Sequence, residues 1–89
     1  MYFVVHHRVI DPEKFLATDP QDIAGNAPPG VQVHHFLPAR DASAADCLWK
    51  SESLDALRDY LDPALRGVCE NSYFEVHSEL AVGLPKAAA

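Results

Sequence analysis

The sequence predicts one α+β domain of ferredoxin-like β-α-β-β-α-β order, a four-stranded antiparallel sheet with two helices on one face. Three observations support that fold: four short strand-like runs, a helix-spaced run in the second half, and proline-led punctuation between the segments. At 89 residues the chain is short for two domains, so residues 1–89 are expected to share one small core.

The first strand is residues 2–8 (YFVVHHR), aromatic and β-branched at its start. Asp11-Pro12 then supplies an N-cap and a proline at the first helical position, where a missing N–H does no harm. Asp19-Pro20 repeats the pattern, so the first helical region should be two short pieces carrying Phe15, Leu16 and Ile23 inward, the second closed by Gly25. Pro28-Pro29-Gly30 is a loop, and residues 31–37 (VQVHHFL) form a second strand stopped by Pro38. Residues 46–50 (DCLWK) return as a third strand. Leu54, Leu57 and Leu61 lie at i, i+3 and i+7 behind Ser51 or Ser53 as cap, and Asp62-Pro63 kinks or restarts that helix before Gly67 ends it. Residues 72–78 (SYFEVHS) alternate as the last strand, and residues 80–89 form a partly flexible tail whose first half packs on the sheet or a partner and whose end frays. Right-handed crossovers put the first and third strands in the middle of the sheet.

Composition narrows the function. With 48% hydrophobic and 22% charged residues the chain is globular rather than disordered. Thirteen acidic against seven basic side chains give a net charge of −6 without a Lys or Arg run, which disfavours nucleic acid and anionic membranes as partners. Two cysteines, Cys47 and Cys69, and the lack of a signal-like or membrane-length apolar stretch point to a reduced cytoplasm, with both thiols acting as small buried hydrophobes. So small a core would gain by pairing two copies through the uncovered sheet face, which makes a homodimer the expected state.

Strand parity decides which side chains reach that open face. Placing Phe74 and Val76, Val31, Val33 and Leu37, Phe3 and Val5, and Leu48 under the helices turns His6, His34, Phe36, Cys47, Trp49, Tyr73, Glu75 and His77 outward. His35 then points inward near its strand end, and a one-residue bulge in any strand would reverse its assignment. Imidazoles with a carboxylate or thiolate suit a divalent transition metal such as nickel, zinc or copper. His6 and His34 are the foremost candidate ligands, Glu75 or His77 the carboxylate or third imidazole, and Cys47 a soft contributor. The His6-His7 and His34-His35 pairs match no short metal motif, and strand-end histidines are commonly plain polar residues. Trp49 equally suits an aromatic anchor in a dimer interface. Cys47 with a nearby histidine could form a thiol–imidazole pair, but the sequence suggests no third group to orient it.

Cys47-Leu48-Trp49-Lys50 leading into Ser53-Leu54-Asp55-Ala56-Leu57, followed by Tyr73-Phe74-Glu75-Val76, resembles the second half of small dimeric α/β-barrel proteins. Within that superfamily the chain is most similar to short stand-alone domains that include a nickel-responsive, nickel-binding protein. The resemblance implies a homodimer with facing sheets, and metal held on or near the sheet by histidine and carboxylate, although no ligand motif of the family matches residue by residue. Cofactor-free monooxygenases, cyclases and isomerase-like enzymes of the same superfamily use a pocket between sheet and helices. The resemblance thus keeps a second expectation open, a small-molecule enzyme or binding protein with His7, His35 and Trp49 in its pocket.

Overall fold

A computed structural model describes residues 1–85. The expected fraying of the C-terminal alanines lies outside the described residues. The architecture is α+β: β1 (Tyr2–Val9), α1 (Pro12–Ala17), α2 (Pro20–Gly25), β2 (Gln32–Pro38), β3 (Ala44–Lys50), α3 (Leu54–Ala64) and β4 (Cys69–Glu75). The strands form one antiparallel sheet in the order β2-β3-β1-β4, with β1 and β3 in the middle.

Local chemistry starts each helix where the sequence places it. Asp11 accepts from the Lys14 N–H and Asp19 from the Gln21 N–H, each directly ahead of a proline, so the first helical region is two six-residue helices. Ser53 caps α3 by accepting from the Ala56 N–H. Pro63 is accommodated inside the last turn of α3, and Gly67, at φ +77°, turns the chain into β4. β4 begins at Cys69, three residues earlier than the alternation of residues 72–78 suggests.

Phe3, Val5, Cys47, Trp49, Leu57, Leu61, Leu65 and Cys69 form the buried core, with Phe15 of α1 and Ile23 of α2 packed against it. The expected parity is corrected in three of the four strands. In β3, Ala45, Cys47 and Trp49 face the helices and Leu48 does not. An indole buries more apolar area than a leucine, so it takes the core position, and Cys47 shares its face two residues away. In β4, Tyr73 lies opposite buried Val5, Glu75 lies opposite Phe3, and Phe74 faces the other side at 60% exposure. Tyr73 can occupy the helix side because its ring packs on the core while its hydroxyl reaches Asp62 at the rim.

A bulge between Val33 and His35 shifts the register of β2, so that Phe36 opposes inward Cys47 and Leu37 opposes exposed Asp46. Phe36 accordingly meets Phe15 at 6.4 Å between ring centroids, whereas Leu37 is left on the open face. His35 lies opposite Leu48 rather than continuing the inward set. β1 follows the expected parity, with Phe3, Val5 and His7 inside and His6 outside. Residues Ala81–Leu84 pass over the open face, enclosing a shallow cleft of about 270 Å³ with Val4, Leu37 and Leu48.

The core assignment predicts unequal costs of truncation. Leu57→Ala, at a fully buried position, should lower unfolding free energy by about 2–5 kcal/mol. Phe74→Ala, on the open face, should cost under about 1 kcal/mol. Urea unfolding of the two variants checks this.

Candidate functional site

The five residues put forward as metal ligands do not converge. His6 sits on the open face, its Nδ1 2.7 Å from Asp46 Oδ1. Cys47 and Glu75 belong to the opposite face, which corrects the expectation that they point outward. His34 is the extra residue of the bulge, with its ring 5.6 Å from that of Tyr2. His77 lies beyond β4, in the turn whose carbonyl accepts from the Leu80 and Ala81 N–H groups. Among the described residues no group of three or more His, Cys, Asp or Glu side chains is placed to hold a metal ion.

The histidine that the fold does engage is His7. Cross-strand register sets His7 opposite Asn71 of β4, and its diagonal neighbour on β3, Cys47, shares the helix-covered face. His7 Nδ1 is 2.6 Å from Asn71 Oδ1 and Nε2 is 3.1 Å from Cys47 Sγ. Asn71 Nδ2 donates to Asp62 Oδ1 at 3.0 Å, and the Tyr73 hydroxyl donates to the same oxygen at 2.6 Å.

The direction of this chain follows from its end. An ionised carboxylate only accepts, so Asp62 orients the Asn71 amide with its nitrogen toward α3 and its oxygen toward His7. That oxygen needs a donor, which makes His7 the Nδ1–H tautomer and leaves the Nε2 lone pair to accept from the Cys47 S–H. Electrostatics agree with a neutral pair. Burial lowers the pKa of His7, opposed by the Asn71 hydrogen bond, and burial pushes the Cys47 thiol up to about 12. The Trp49 N–H, close to the Cys47 sulfur, opposes that rise, although it stands outside hydrogen-bond geometry.

His7, Cys47 and Trp49 also line a cavity of about 550 Å³ between the sheet and α1 and α2, a volume suited to a small organic molecule. Phe15, Ile23 and Phe36 supply apolar walls, and Leu16 on α1 is 73% exposed beside the cavity. No Asp, Glu, Lys or Arg among the described residues lines it. Two buried nitrogens on its lining, Trp49 Nε1 and His34 Nε2, have no hydrogen-bond partner among the described residues. A buried N–H left unpaired costs about 1–3 kcal/mol, and the Trp49 indole N–H is such a group.

The resemblance implied His7, His35 and Trp49 as pocket residues, and all three line the cavity; the sequence also offered Cys47 as a partner for a histidine, but nothing pointed to Asn71 or Asp62. The signal for Asn71 was its spacing from Tyr73: two residues apart on one strand, they share a face once tyrosine is allowed under the helices. Nothing local in the sequence marks Asp62, which reaches the sheet only through the course of α3. Comparison with family models and with curated proteins gives no match for this chain.

His7 supplies a pH dependence whose sign is fixed. Its folded pKa lies below the ordinary 6.5, so stability from the neutral imidazole is complete above that value and falls as pH drops through it toward the folded pKa. His34 shifts in the same direction through burial and then the neighbouring His35. The difference between wild type and His7→Gln therefore isolates His7. The stability gap, read from urea midpoints, should change between about pH 7 and 5, with wild type losing more on acidification.

Proposed function

We propose that this chain binds an uncharged, largely apolar carbonyl compound in the cavity beneath α1 and α2, and acts on it through His7 without a cofactor. The observation that carries this reading is a buried thiol–imidazole pair at 3.1 Å on the wall of a cavity whose buried indole N–H has no partner among the described residues. A carbonyl oxygen would give that N–H the acceptor it lacks. The absence of charged lining residues among those described and the net charge of −6 both weigh against an anionic ligand.

In this reading His7 Nε2 is the proton acceptor. Its tautomer is set by Asn71, and the imidazolium formed on protonation would be stabilised by the Asn71 oxygen and, through the amide, by Asp62. A neutral imidazole near physiological pH is ready to take a proton, which an imidazolium is not. A ferredoxin-like arrangement and pairing of two copies through the open face belong to the same proposal. Exposed Leu37 and Phe74 on that face give such pairing apolar surface to bury.

Trp49 is the only tryptophan in the chain, so its emission reports directly on the cavity. Benzylacetone and phenylpropanoate are closely matched in shape and differ in charge. The ketone should shift or quench Trp49 emission saturably, and the carboxylate should bind at least about tenfold more weakly. Equal affinity, or no response to either compound, would refute the proposed ligand class.

A further inference from the structure

We propose that Cys47 adds, as a nucleophile, to the β-carbon of an uncharged α,β-unsaturated carbonyl compound held in this cavity; the inference rests on the pocket reading above. Three groups on the cavity wall occupy the roles such an addition needs. The Cys47 sulfur is the nucleophile, His7 Nε2 at 3.1 Å receives its proton, and the unpartnered Trp49 N–H is a donor for the oxygen on which negative charge develops. Asn71 orients the imidazole, held in turn by Asp62.

The step balances within the site. The S–H proton passes to His7 Nε2 as the C–S bond forms, and the C=C π pair moves through the conjugated system onto the carbonyl oxygen as an enolate. The imidazolium then returns the proton to the α-carbon, giving a saturated thioether, with nothing oxidised, reduced or expelled. Reversal of the same proton transfers releases the enone. Cys69 provides an internal comparison, because its buried thiol also lines the cavity but has no hydrogen bond to an imidazole among the described residues.

Benzylideneacetone is the reactive probe, and benzylacetone, which lacks the double bond, reports binding alone. Intact-mass and peptide analysis of the full chain should show one adduct, on Cys47, forming at least about tenfold faster than on Cys69. The adduct should form at least about tenfold more slowly in His7→Gln. Should His7→Gln fail to fold, the ratio of Cys47 to Cys69 labelling in the wild-type chain decides alone. If benzylacetone shifts Trp49 emission while benzylideneacetone labels Cys47 no faster than Cys69, the addition is refuted and the pocket reading survives. A folded His7→Gln that labels Cys47 at the wild-type rate would refute the addition in the same way. If benzylacetone leaves Trp49 unmoved, the pocket reading fails and the addition falls with it.

Discussion

A single acceptor-only group at the edge of the sheet, the Asp62 carboxylate, sets the polarity of everything behind it. Because it takes hydrogen bonds from both Asn71 and Tyr73, the Asn71 oxygen is left facing His7. The imidazole must then donate from Nδ1, and Nε2 must accept from the Cys47 thiol. A histidine buried on an apolar sheet face would otherwise be a polar group without partners. Here both ring nitrogens are satisfied, and the cost of burial is offset by a chain of hydrogen bonds that runs from the helix rim to the cavity wall.

The division between the two sheet faces gives each histidine its part. Alternation sends His6 to the open side, where it pairs with exposed Asp46, and His7 to the side under the helices. The same alternation separates Cys47 from His6 and brings it to His7. Adjacent histidines in one strand thus belong to different environments: one is an exposed hydrogen-bond partner of Asp46 and the other is a buried, neutral base. The cavity exists because α1 and α2 are short, proline-started helices that leave part of the sheet beyond α3 incompletely filled.

Element order and helix starts were legible because capping and proline chemistry act locally: Asp11-Pro12, Asp19-Pro20 and Ser53 mark the same boundaries in sequence and structure. The parity of β1 was legible as well, since Phe3 and Val5 leave His7 only the inward side. The other three strands depart from simple alternation for separate physical reasons. In β3 the choice between Leu48 and Trp49 turns on buried area, which alternation does not weigh. In β4 the polar hydroxyl of Tyr73 suggests an outward residue, although its ring packs inside while the hydroxyl finds a carboxylate. In β2 a bulge intervenes, and no residue type in Val33-His34-His35 announces it. The site was therefore half visible, with its thiol and imidazoles named and their common face hidden until the strands were in register.

The most direct test of the bonding chain is the protonation pattern of one ring. Long-range proton–nitrogen NMR of the imidazole groups near neutral pH, with His7 assigned by comparison with His7→Gln, reads tautomer and charge together. The geometry predicts that His7 is neutral and held as the single Nδ1–H tautomer, with Nε2 unprotonated. An Nε2–H tautomer, or an imidazolium at that position, would contradict the direction assigned from Asp62 through Asn71 to Cys47.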